Sequence, residues 1–168
     1  MLILALESSA KAASVALCRD GVLIAQSQQC SGLTHSCTLL PMAEQMLKDT
    51  NIALSDVDAI AVARGPGSFT GIRIGVAAAK GLALAADKPV VGVSTLEAMA
   101  WNVAHVDGMV ICAMDARRSQ VYNALFLAKG DTLQRLCPDR AVSLAAVAED
   151  LRREHRAKIV VGDGAVLC

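Results

Sequence analysis

Three kinds of chemistry are within reach of this chain's residue types: anion binding on a glycine-rich turn, metal ligation by histidine, and attack by a serine on a sharp turn. The longest candidate is the run Arg64-Gly65-Pro66-Gly67-Ser68-Phe69-Thr70-Gly71-Ile72-Arg73. Free N–H groups where such a loop opens a helix can meet an anion. A phosphate loop, however, ends in Lys followed by Ser or Thr, and here Ile72-Arg73 follows Gly71. A nucleophile elbow needs Gly-x-Ser-x-Gly, which Pro66-Gly67-Ser68-Phe69-Thr70 does not supply. Ser68 reads instead as the N-cap of the helix that follows. The histidines are His35, His105 and His155. A helical metal pair needs ligands three or four residues apart on one face. Thr38 and Leu39 follow His35 at those spacings, and Lys158 and Ile159 follow His155. No metal site is expected, and His35 is read as a helix-start or contact residue.

The helix opened by the glycine-rich run carries more information than the run itself. Gly71, Gly75, Ala78, Leu82 and Ala85 are read as one small-residue stripe, with Ile72, Val76, Ala79 and Ala83 beside it. Each interior glycine costs about 1 kcal/mol relative to alanine, which close approach of another element would offset. Arg73 and Lys80 are the only full charges before Asp87. A helix apolar on nearly every side is covered on more than one. One face is assigned to its own sheet and the other is read as wanting a partner, ahead of the alternative that the second lobe covers both helices. A neighbouring helix with His35, Leu39, Met42, Met46 and Leu47 extends that surface, and methionines suit adaptable contacts.

The elements that position these residues follow from hydrophobic periodicity. Leu2–Leu6, Ala13–Leu17 and Val22–Gln28 read as a three-strand antiparallel meander. A helix over His35–Lys48, a buried strand over Asp58–Ala63, a helix over Ser68–Ala86 and a strand over Pro89–Val93 come next. Ser94-Thr95-Leu96-Glu97 has the form of a capping box. The pattern then repeats: strands at Met109–Met114, Val121–Leu127 and Thr132–Leu136, a helix over Ser143–His155 and a strand over Lys158–Val161. Two tandem βββαβα lobes, residues 1–104 and 105–168, describe an α/β fold of the actin-like ATPase (ribonuclease H-like) type. The second lobe is expected to be incomplete, because only Gly162–Cys168 remain after Val161. ATPases of this fold hold phosphates on a glycine-containing hairpin that begins with an acid. The matching turns here, Glu7-Ser8-Ser9-Ala10-Lys11 and Asp115-Ala116-Arg117-Arg118-Ser119, lack glycine. Glu7 and Asp115 therefore read as turn-forming acids.

Composition bounds the alternatives. Hydrophobic residues make up 54% of 168, and mean hydropathy is +0.46, which excludes disorder. The aromatics are Trp101, Tyr122, Phe69 and Phe126, too few for base-stacking platforms. Sixteen basic residues balance sixteen acidic ones, so a nucleic acid would be carried by a partner rather than by this chain. Arg117-Arg118 and the cluster Arg152-Arg153-Glu154-His155-Arg156 read as ordinary solvated charge. No apolar run is read as long enough to span a bilayer, and Met1–Leu6 reads as a strand. The six cysteines, at 18, 30, 37, 112, 137 and 168, show no Cys-x-x-Cys spacing. They read as small buried hydrophobes in a reducing cytoplasm.

The run Arg64–Gly75 closely resembles the signature of the bacterial TsaB (YeaZ) family. Ile3–Ser9, Thr34-His35-Ser36 with Leu40-Pro41, Gly92–Leu96 and Met114–Arg118 resemble that family's stretches at corresponding places. The resemblance implies an actin-like fold and a part in making threonylcarbamoyladenosine on tRNAs that read ANN codons. It implies a non-catalytic scaffold and activator that pairs with a TsaD-like catalytic subunit, with no catalysis of its own. A TsaE-like ATPase joins that complex, tRNA is met only through it, and the isolated protein forms homodimers through the same helices. The implied interface is His35, Leu39, Met42, Met46, Gly71, Ile72, Gly75, Ala78, Ala79 and Leu82. No cofactor is implied beyond weak adenine nucleotide binding at that interface. TsaD-like enzymes hold a metal on a histidine pair, and Leu39 stands where the second histidine would be. The family continues some tens of residues beyond position 168. The rival reading is a free-standing actin-fold ATPase or an M22-type glycoprotease, the older name for such proteins.

Overall fold

The computed structural model describes residues 1–152 and 154–167, so Arg153 of the basic cluster and Cys168 lie outside it. The chain forms two compact units, Met1–Val93 and Ser94–Cys168.

In the first unit, β1 (Leu2–Glu7), β2 (Ala13–Arg19) and β3 (Val22–Gln29) form an antiparallel meander. Helix α1 (His35–Asp49) leads through a 3-10 turn to β4 (Ala59–Ala63). Helix α2 (Phe69–Ala86) then leads to β5 (Val90–Val93). The sheet order is β3-β2-β1-β4-β5, with β4 and β5 parallel to β1. Burial alternates along β1 and β2 because successive side chains point to opposite faces. Leu4, Leu6, Val15, Leu17, Ile60 and Val62 meet Leu39, Ala43 and Met46 of α1 and Ala79 and Ala83 of α2 in one core. Burying each large aliphatic side chain contributes about 1.5–3 kcal/mol, and this core fixes which way both helices face.

In the second unit, α3 (Thr95–Trp101) precedes β6 (Gly108–Arg117), β7 (Gln120–Lys129) and β8 (Thr132–Arg135). Next come β9 (Arg140–Ser143), α4 (Leu144–Leu151), β10 (Lys158–Val161) and a 3-10 turn at Asp163–Leu167. The order is β10-β6-β7-β8, with β9 also pairing with β7 and β10 parallel to β6. The repeated meander, helix and parallel strand are the actin-like arrangement that the two patterns predict.

Four differences from the expected elements have local causes. The units part after Val93 rather than after residue 104, because α3 packs on β6 and β7. Strand β9 was not expected: it is four residues long, opens on Arg140 and is held by pairing with Gln120–Asn123. Helix α4 ends at Leu151 rather than His155. Ser94 accepts the Glu97 N–H at 3.2 Å as a cap should, but the Glu97 carboxylate pairs with Arg135 instead of closing the box.

Two composition readings are also corrected. Cys112 is buried and Cys18 and Cys137 are half-buried, but Cys30 and Cys37 are exposed. Helix α2, at 18 residues, is long and apolar enough by length and composition to cross a bilayer, contrary to the expectation. Its Arg73 and Lys80 are exposed, and one stripe of it is occupied by the unit's own sheet.

Candidate functional site

The segment Arg64–Arg73 turns the chain from β4 into α2. The Arg64 N–H donates to the Val93 carbonyl at 2.9 Å, continuing the sheet for one residue. Gly65 and Gly67 follow at φ +110° and +153°, where side chains other than hydrogen are strained. The Gly65–Pro66 peptide is cis. The Ser68 N–H donates to the Ser9 carbonyl at 2.7 Å, and its hydroxyl accepts the Gly71 N–H at 3.2 Å. Ser68 is thus the N-cap, tying the start of α2 to the turn after β1.

The buried stripe of α2 is Gly71, Gly75, Ala79 and Ala83, one residue every fourth position. A Cβ at Gly71 would meet the Ser8 carbonyl oxygen, and one at Gly75 would meet the Ser8 hydroxyl. That hydroxyl donates to the Gly71 carbonyl at 2.8 Å. The glycines therefore admit the β1–β2 turn of the same unit. Gly71, Gly75 and Ala79, read from sequence as partner residues, face inward, as do Leu39 and Met46 of α1. His35, Met42, Ile72, Ala78 and Leu82 are half-buried and keep part of their surface outward.

The outward surface is a groove of about 450 Å³ between α1 and α2, floored by buried Leu39 and walled by Leu40, Ile74, Ala77, Gly81 and Leu82 among others. His35 stands at its α1 end with Nε2–H donating to the Ala10 carbonyl at 2.9 Å, which fixes the ring. Beside the groove, Phe69 is 74% exposed and Leu84 87% exposed, and the Arg73 guanidinium lies 5.1 Å from the Phe69 ring centre. Gly81 differs from Gly71 and Gly75: nothing lies within 4 Å of where its Cβ would be. Sequence reasoning missed Leu40, Ile74, Ala77, Gly81 and Leu84. The fourfold spacing from Gly71 was the available signal, because it puts the opposite face of α2 outward.

The acidic turns are occupied by local bonds. Ser9 N–H donates to the Glu7 carboxylate, and the Ser8 hydroxyl is spent on Gly71. Arg117 N–H donates to Asp115 at 2.7 Å, and Asp115 N–H donates to Asp163 at 3.1 Å. Arg117, Arg118 and Ser119 all lie at positive φ in the β6–β7 turn. Arg152 pairs with Glu149 at the surface, and Arg156 pairs with Glu154, whose side chain is largely covered. Among the described residues, no three His, Cys, Asp or Glu side chains group as metal ligands. Burial pushes the Cys112 thiol up to about 12, and it donates to the Leu96 carbonyl. That is the chemistry of a packing residue, not a nucleophile.

Residues 29–160 match the TsaD family, tRNA N6-adenosine threonylcarbamoyltransferase. The tRNA threonylcarbamoyladenosine biosynthesis protein TsaB of Bacillus subtilis is 40% identical over 162 residues, 96% of this chain and 71% of that protein. The Escherichia coli protein of the same name is 44% identical over 124 residues, 73% of this chain and 53% of that one. The match therefore spans only about half the length of the latter relative. The solved structure of YeaZ from Pseudomonas aeruginosa superposes with a TM-score of 0.77 at 35% identity, covering 84% of this chain and 67% of that one. Fold and sequence agree across both units, and the chain belongs to the TsaB (YeaZ) family of tRNA threonylcarbamoyladenosine biosynthesis proteins.

Proposed function

We propose that this chain is a non-catalytic subunit that docks onto a TsaD-like catalytic partner through the α1–α2 groove and activates threonylcarbamoyl transfer to the adenosine of ANN-reading tRNAs. Gly81 carries the reading. A glycine inside an exposed helix costs about 1 kcal/mol, and nothing among the described residues requires one there. A partner element approaching closely at that point offsets the cost. Phe69 and Leu84 flank the same face as large exposed anchors. Arg73 and Lys80 are the charges on α2, which has no acid between Phe69 and Ala86. The face therefore suits a partner that presents carboxylates, and two copies of α2 facing each other would repel. Self-association through these helices is the weaker mode, used when the partner is missing. A TsaE-like ATPase and tRNA join through the assembled complex, in the cytoplasm.

The test is isothermal titration of the full chain with a TsaD-like subunit. Ala77→Glu, at an exposed position, introduces a charge in the groove. The variant is expected to keep its thermal unfolding curve and lose binding by at least about a hundredfold, some 2.7 kcal/mol. Wild-type affinity in that variant would reject the groove as the interface.

A further inference from the structure

A second groove lies on the other side of α1, against β3. Strand β3 is an edge of its five-stranded sheet, eight residues long and exposed almost throughout. Natural edge strands are usually guarded by charge, proline, shortness or a bulge. Val22-Leu23-Ile24-Ala25-Gln26-Ser27-Gln28-Gln29 has neither charge nor proline, and its one register shift against β2 falls at Ile24, leaving Ala25–Gln29 regularly paired. A cavity of about 660 Å³ borders Ala25, Gln26 and Ser27 of β3 and Thr38, Pro41 and Met42 of α1. Alternate side chains of a strand point to opposite faces, so contact with three consecutive residues puts the cavity at the open backbone edge.

Its helical wall holds unspent hydrogen-bonding capacity. Among the described residues the Thr38 hydroxyl, on a residue only 6% exposed, has no partner. Pro41 lies inside α1 and has no N–H, which removes the intrahelical donor to the Cys37 carbonyl. Both Cys37 and Thr38 line the cavity. The far end is Asp49 and Thr50, where the helix C-terminus adds partial negative charge. Asp49 accepts one bond, from Gln45 at 2.6 Å. The groove is otherwise uncharged.

We propose that this groove binds an extended peptide segment of a partner protein, added as a further strand to β3. The segment is uncharged along its length and carries a Lys or Arg at the end that meets Asp49. An open strand edge beside a helix offers repeated backbone donors and acceptors, which an extended peptide matches. A second copy of β3 fits less well, because Val22–Gln29 brings no cation to Asp49. The inference is independent of the α1–α2 reading.

The probe is a random heptapeptide display library selected on the immobilised full chain, with the enriched peptide then titrated by fluorescence anisotropy. Enriched peptides should carry a terminal Lys or Arg and no acid. N-methylation of alternate backbone amides along one edge should weaken binding about tenfold or more, while methylation of the intervening amides should not. Ser27→Arg, at an exposed position, should abolish binding with an unchanged unfolding curve, and Thr38→Val should weaken it about fivefold. The proposal is overturned if no peptide is enriched over the Ser27→Arg chain, or if methylation of either edge is equivalent. It is equally overturned if Ala77→Glu blocks the peptide, which would place it in the α1–α2 groove. A peptide-free dimer that Ser27→Arg dissociates would assign the edge to a second copy instead.

Discussion

Gly75 and Gly81 lie in one helix, yet alanine should shift stability in opposite directions at the two positions. At Gly75 the new Cβ would meet the Ser8 hydroxyl. Rotating that hydroxyl away breaks its 2.8 Å bond to the Gly71 carbonyl and leaves it unpaired on a residue 1% exposed. An unsatisfied buried hydroxyl costs about 1–3 kcal/mol, and overpacking adds about 1–3 kcal/mol. The gain in helix propensity returns about 1 kcal/mol. Gly75→Ala should therefore destabilise the chain by about 1–5 kcal/mol. Ser8→Ala removes the obstructing atom, and the next contacts of the added Cβ, with Ser8 Cβ and Val62 Cγ2, are both an ordinary 3.6 Å. Ser8→Ala with Gly75→Ala should accordingly be no less stable than Ser8→Ala alone, a coupling of about 2 kcal/mol. Gly71→Ala meets the Ser8 backbone carbonyl, which no side-chain change removes, so Ser8→Ala should not rescue it. Gly81→Ala, with open space around it, should stabilise the chain by about 0.5–1 kcal/mol while weakening partner binding. Urea unfolding followed by far-ultraviolet circular dichroism gives all of these values. A stabilised Gly75→Ala, or a coupling below about 0.5 kcal/mol, would refute the reasoning.

Two further outcomes test the second unit and the thiols. At pH 8 iodoacetamide should label exposed Cys30 and Cys37 first, and Cys112 only on unfolding, because burial pushes its thiol up to about 12. Peptide mass spectrometry reads this order, and equal labelling rates at Cys112 and Cys30 would contradict it. Arg135 bridges Glu97 at 2.9 Å and Asp139 at 2.7 Å and lies 4.6 Å from the Phe126 ring centre. Arg135→Met should cost about 1–2 kcal/mol, discounted because both carboxylates are partly solvated. Arg135→Lys should recover less than half of it, since an ammonium cannot make both fork contacts and stack. Full recovery with lysine in urea unfolding would reduce the site to simple charge pairing.

The element order was legible because strands and helices differ in period, and the repeated meander exposed the actin-like topology. The phase of the helices was not. Where nearly every α2 residue is apolar or small, periodicity cannot say which stripe faces the sheet. Gly71, Gly75, Ala78 and Leu82 looked like one face, but the buried stripe follows Gly71, Gly75, Ala79 and Ala83. The deciding atom, the Ser8 carbonyl, lies across a long sequence gap in the β1–β2 turn. Glycine chemistry suggested close approach at Gly71 and Gly75 but could not distinguish an internal neighbour from an external one. That distinction depends on what surrounds the missing Cβ. At Gly75 the space is filled from within, whereas at Gly81 it is empty on an exposed face. An unexplained glycine is therefore a better marker for the proposed docking surface than the glycines of the long signature, because the unit's own packing already accounts for those.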